Sequence, residues 1–137
     1  MNRTDLQRIS EQRLRESKIL LDAEAYPGAF YLAGYAVECA LKSCIAKKFK
    51  EHEFPDKDFV NSIYSHKLDQ LLRHAGLEHE PEITIASKSQ LWEYWKYVRT
   101  WKESKRYEEP TPEEAKELYW AIADPKNGVL QWLKERW

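Results

Sequence analysis

Residues 30–49 read FYLAGYAVECALKSCIAKKF, a helical run built largely from small side chains. At 3.6 residues per turn, Phe30, Ala33, Gly34, Val37, Ala40, Leu41, Cys44 and Ile45 fall on one broad face, which predicts a core-facing helix. Glycine inside a helix costs roughly 1 kcal/mol relative to alanine. Gly34 therefore predicts that another helix crosses close by and uses the space of the missing side chain, and close crossing implies a compact bundle. Glu38 and Lys42 stand four residues apart in the favourable order, so they read as an ion pair that steadies the helix, solvated or partly buried.

Toward the N-terminus, residues 5–24 form a predicted helix with Leu6, Ile9, Leu14, Ile19, Leu20 and Leu21 as its apolar stripe and Arg8, Arg13, Arg15 and Lys18 facing outward. Tyr26-Pro27-Gly28 ends it, and Pro27 suits the first turn of the helix that follows, which reaches Lys50. Residues 52–61 read as a polar loop with a turn at Pro55-Asp56. A short helix over 65–75 follows, with Ser65 as N-cap, Leu68, Leu71 and Leu72 inward and Gly76 at its C-terminal end. After a loop over 78–87, whose EITIA run is the sole strand-like stretch, residues 88–102 form an aromatic-rich helix. Leu91, Trp95 and Val98 repeat there at core spacing, while Tyr94, Tyr97 and Trp101 make a second stripe that reads as a dimer face, a ligand wall or a deeper core. Thr111-Pro112-Glu113-Glu114 combines an N-cap, a proline at the first helical position and a glutamate at the third, the pattern of a capping box. Asp124-Pro125 repeats the cap-then-proline device, so the last segment is a separate helix or a kinked continuation.

The whole is an all-α chain, a single domain over 1–137 arranged as an up-and-down bundle of four to five main helices with long polar loops. Its 137 residues suffice to bury roughly 70% of the unfolded surface in one core. The 22 basic and 23 acidic side chains cancel to a formal charge of −1, so any nucleic-acid site must be a local basic patch. Six Trp and eight Tyr exceed what one small core holds and suit interfaces or base stacking. Cys39 and Cys44 sit on different faces of one helix, too poorly placed for a disulfide, and read as small buried apolar residues. No zinc, EF-hand or paired Glu-x-x-His spacing occurs, and the glycines at 28, 34, 76 and 128 form no phosphate loop, so neither a metal nor another cofactor is expected. The charged N-terminal segment has no apolar signal core and no stretch reaches about 18 uninterrupted apolar residues, which reads as a cytoplasmic protein with no membrane partner.

The positions Tyr31, Gly34, Tyr35, Glu38, Leu41 and Lys42, then Ser65-His66-Lys67-Leu68 with Leu71 and Leu72, then Arg106-Tyr107, carry a resemblance to the HEPN family (higher eukaryotes and prokaryotes nucleotide-binding) over nearly the whole chain. The resemblance implies a four-to-five-helix up-and-down domain, usually a homodimer, of the kind found in prokaryotic toxin–antitoxin or defence systems. Many members look like metal-independent ribonucleases, and others look like silent binding partners.

A ribonuclease without a metal needs a base for the 2′-hydroxyl, an acid for the leaving oxygen and a cation for the charge developing on phosphorus. The resemblance implies an arginine and a following histidine with four to six residues between them, the first often polar. Arg73 and His79, with five residues between them, are the fit and the candidate catalytic pair. They straddle the end of a short helix, whereas the family's pair usually stands near the start of a later helix, where no histidine follows Arg99 or Arg106. A second reading makes Arg73 a partner of the helix dipole.

The resemblance also picks out Glu38, Lys42, His66, Arg106 and Tyr107 as nucleotide- or RNA-binding residues. Lys42 and Arg106 would hold phosphate, Tyr107 would stack on a base, and Glu38 would orient the cations or accept a proton. The alternative is a closed cluster in which Glu38 bridges to Arg106 or Lys42 and Tyr107 plugs the gap. Two functions follow. One is an RNA- or nucleotide-binding protein, a toxin with a nucleotidyltransferase-like partner, which predicts an open pocket with His and Arg in mutual reach. The other is a catalytically silent helical dimer acting as an adaptor, which predicts a satisfied polar cluster with Tyr94, Tyr97 and Trp101 across an interface.

Overall fold

The computed structural model describes residues 1–49 and 54–137, with only the backbone considered at Phe59, Ser62, Lys105 and Arg106. Helix α1 spans Arg3–Asp22, α2 Tyr26–Lys47, α3 Lys57–Ile63, α4 Leu68–His74, α5 Gln90–Val98, α6 Pro112–Ala123 and α7 Val129–Lys134. Short 3-10 turns lie at Pro81–Ile83, Ile85–Ser87 and Glu103–Tyr107, and there is no strand among the described residues, so EITIA belongs to two of these turns.

α2 is the axis of the bundle. All eight residues of its expected face are buried, and so are Ala29, Ala36, Glu38, Cys39 and Ser43, because α1, α4, α6, α7 and the Glu103–Tyr107 turn pack around it. By length and composition α2 could cross a membrane, but 72% of that window is buried among the other helices, as befits a core helix.

The inward face of α1 is centred differently from the apolar stripe read in its sequence. Ser10, Ser17 and Leu21 are buried, while Ile19 is exposed. The Ser10 hydroxyl donates to the Ala36 carbonyl at 2.6 Å and the Ser17 hydroxyl to the Ala29 carbonyl at 2.7 Å. Two serines one heptad apart thus let α1 lie close on the small-residue side of α2, and their hydroxyls find backbone acceptors there.

The expected loop before α4 is in fact largely helical. α3 begins at Lys57, where the Asp56 carboxylate accepts from the Asp58 amide at 2.8 Å; Lys50 and residues 52–53 of the expected segments lie outside the described residues. α4 starts at Leu68 rather than at Ser65, whose hydroxyl accepts from the Lys67 amide at 3.0 Å and turns the chain into the helix. Its end matches the expectation: Gly76 has φ +75°, the Leu77 amide donates to the Leu72 carbonyl and the Gly76 amide to the Arg73 carbonyl, a Schellman motif.

α5 stops at Val98, short of the expected residue 102, and the chain leaves the helix so that Trp101 turns inward. Trp101 is 1% exposed, and a Cβ on Gly34 would collide with its indole ring. The gap at Gly34 therefore receives this indole from the segment after α5, in place of the crossing helix expected there. The stripe Tyr94, Tyr97, Trp101 is accordingly split between two surroundings. Tyr94 donates to Asp124 at 2.9 Å and Tyr97 to the Glu114 carbonyl at 3.1 Å, tying α5 to α6, while Trp101 joins the core. The capping box forms as read, Thr111 Oγ accepting from the Glu114 amide at 3.1 Å and Glu114 Oε1 from the Thr111 amide at 3.0 Å. α7 is a separate helix, but Asp124-Pro125 does not start it: Asp124 is the C-cap of α6, a turn follows, and α7 begins at Val129 with Gly128 as N-cap.

Candidate functional site

Three segments converge on one carboxylate. α2 carries Glu38 and, one turn later, Lys42; the residues entering α4 carry His66; the turn Glu103–Tyr107 carries Glu103. Glu38 is 2% exposed and uses both oxygens. Lys42 Nζ donates to Oε2 at 3.3 Å, and His66 Nδ1 stands 3.0 Å from Oε1. The opposite edge of the imidazole, Nε2, is 3.3 Å from Glu103 Oε2. A carboxylate taken out of water loses several kcal/mol of solvation, which only near-complete hydrogen bonding offsets. The Lys42 ammonium and the His66 ring supply that compensation.

The His66 side chain is 46% exposed, so the ring runs from the buried carboxylate to the surface. With a carboxylate oxygen at each nitrogen, the ring donates on both sides only when both nitrogens are protonated; neutral, it donates on one. The two carboxylates flank opposite edges of the ring, and no group of three or more His, Cys, Asp and Glu among the described residues is arranged to hold a metal ion.

Behind the carboxylate, burial pushes the Cys39 thiol up to about 11, with the neighbouring Glu38 charge adding to the effect, and burial likewise raises Cys44 to about 11. Both cysteines are therefore inert packing residues. Tyr31 and Tyr35 stack with ring centres 6.2 Å apart, and Tyr31 meets the Trp101 indole at 5.9 Å. Trp101, seated on Gly34, thus starts the segment that two residues later delivers Glu103 to His66. On the far side, Lys42 lines a cleft of about 400 Å³ shared with Leu6, Ile45, Phe49 and Tyr64.

Of the positions singled out in the sequence, Glu38, Lys42 and His66 come together. Arg106 shares the turn that carries Glu103, but its side chain lies outside the described residues. Tyr107 ends the same turn and is 78% exposed, so it does not plug the cluster. Arg73 and His79 are not joined by any hydrogen bond among the described residues. His79 is 93% exposed with Nε2 3.5 Å from Glu78, and Arg73 lies in the last turn of α4. Glu103 escaped the sequence reading because one glutamate in a polar loop carries no local signal; only the docking of Trp101 brings it to His66.

No curated protein and no solved structure matches this chain. The HEPN domain family matches residues 4–135, and the chain belongs to that family.

Proposed function

We propose that this HEPN domain binds RNA or a nucleotide at the exposed edge of His66. One observation carries the reading: a buried glutamate holds a half-exposed imidazole by Nδ1, and Nε2 on the opposite edge meets the Glu103 carboxylate. A buried charge pair stabilises a fold no better than apolar residues of similar volume. The arrangement is therefore better suited to placing the imidazole than to strengthening the core. Glu103 is the outer carboxylate, and a phosphate oxygen arriving at Nε2 takes its place as acceptor. Lys42, already bound to Glu38 beside its cleft, adds positive charge, and the exposed Tyr107 on the adjoining turn extends the surface.

A prokaryotic toxin–antitoxin or defence setting, a homodimer and a nucleotidyltransferase-like partner are supported by the family resemblance alone. The adaptor reading has one observation in its favour, since Glu38 is fully satisfied within the cluster. Against it, the aromatic stripe assigned to its interface is divided between the core and α6.

The test is binding and cleavage of a mixed RNA pool by the purified chain in EDTA. His66→Ala is expected to weaken binding. Cleavage lost in His66→Ala alone assigns a proton-transfer step to His66, and cleavage lost only in His79→Ala moves the chemistry to Arg73 and His79. Absence of all RNA and nucleotide binding by the folded protein supports the adaptor.

A further inference from the structure

α4 and α5 leave between them a groove of about 300 Å³ on the side of the molecule where Arg73 stands. Its floor is apolar and buried, formed by Leu72, Ile83 and Trp95, and Trp92 lines it at partial exposure. The Schellman turn at Gly76 folds the chain back so that the Pro81–Ile83 turn closes one end. Two guanidinium groups and two carboxylates share the groove, and three of the four are already engaged. Arg99 Nε lies 3.4 Å from Asp69, and Glu78 lies 3.5 Å from His79. The Arg73 guanidinium alone has no ion pair or side-chain hydrogen bond among the described residues.

Such a groove has one unpaired guanidinium, an indole and an apolar floor. We propose that it binds one nucleotide unit carrying a single phosphate group, with the base against Trp92 and the phosphate on Arg73. The chemistry follows from each part. A guanidinium donates two parallel hydrogen bonds to phosphate oxygens. An aromatic face stacks on any base. The volume is at the lower end of small-molecule sites and suits a mononucleotide. Asp69 and Glu78 hold down the positive potential, so added phosphates gain nothing and meet repulsion. The exposed Arg99–Asp69 pair is weak enough for Arg99 to turn to the ligand. The inference rests on the nucleotide-binding reading above and assigns Arg73 to binding in place of catalysis.

The unit comes from a free nucleotide or from a strand, and calorimetric titration separates the two. The probes are AMP, ATP, adenosine, ribose 5-phosphate and a five-residue RNA. AMP or the RNA is expected to bind, ATP no more tightly than AMP, and adenosine and ribose 5-phosphate more weakly than either. AMP without the RNA identifies a free nucleotide as the ligand, and the RNA without AMP identifies a strand. Arg73→Gln, an exposed change at a helix end, is expected to weaken binding about tenfold, the size of a lost charged hydrogen-bond pair, and Trp92→Leu by a similar factor. Unchanged affinity in the folded Arg73→Gln protein overturns the proposal. If His66→Ala then abolishes binding, the His66 reading stands without the groove. Failure of the parent protein to bind any probe overturns both.

Discussion

Gly34→Ala sets helix propensity against tertiary packing, and the two predict opposite signs. In an isolated helix the change is favourable by about 1 kcal/mol. In this bundle the new methyl collides with the indole of Trp101, a ring that is 1% exposed and seated on α2 at Gly34 beside the Tyr31 ring. A rigid ring cannot yield as a flexible side-chain end does, so the overpacking cost belongs near the top of the usual range, about 3 kcal/mol. The net expectation is a loss of about 2 kcal/mol. With a urea m-value of about 2 kcal/mol/M, the unfolding midpoint falls by about 1 M. Trp101→Leu in the same background should relieve the collision, so the double mutant is more stable than the sum of the two single effects by about 1 kcal/mol or more. Because Trp101 precedes Glu103 by two residues, Gly34→Ala should also loosen the Glu103–His66 contact. Equilibrium unfolding monitored by circular dichroism reads the stability directly. A midpoint equal to or above that of the parent would show that helix propensity prevails and that the indole does not occupy the Gly34 gap.

Three further outcomes follow from the same packing. Lys42→Met leaves the Glu38 carboxylate with His66 as its one strong partner and should cost about 2 kcal/mol, whereas adding Glu38→Leu removes the buried charge and recovers most of the loss in urea unfolding; equal instability of the single and double variants would contradict this. Ser17→Ala deletes the hydroxyl that donates to the Ala29 carbonyl and should cost about 1 kcal/mol, with Ser10→Ala behaving alike at Ala36, and no change in the melting midpoint would mean the α1–α2 contact does not depend on these bonds. Stability should also fall in alkali: an unfolded thiol loses its proton near 8.5, while Cys39 and Cys44 in the fold keep theirs to about 11. Between those values the unfolded chain has released protons that the folded chain retains, so stability present below about pH 8.5 drops as pH rises, by up to roughly 1.4 kcal/mol per pH unit for each thiol. Urea midpoints at pH 8 and pH 10 check this, as does alkylation at pH 8, which should label neither cysteine before unfolding.

The parts of the fold that could be read ahead of the structure share one property, that their signal is local. The periodic face of α2 is buried at every expected position because burial of a helix face follows from spacing alone. The capping box at Thr111 and Glu114 and the left-handed Gly76 behave as read because each depends on a few adjacent residues. α3 was hidden by its polar composition, and α5 ends early because the segment after it is bound elsewhere. Within the site, Glu38 and Lys42 are neighbours by helical repeat, whereas the approach of His66 across 28 residues depends on how α4 packs on α2.

By itself the sequence determined an all-helical chain, its central helix, the capping box at Thr111, the glycine turn after α4 and its membership of the HEPN family, since periodicity and turn chemistry act over one or two turns. Tertiary structure alone decided what fills the space at Gly34, which serines seat α1, how Glu103 reaches His66 and why Arg73 lines a groove apart from His79. Those outcomes depend on contacts between residues far apart in the chain, where many partners satisfy the same local pattern and only simultaneous packing of the core selects one.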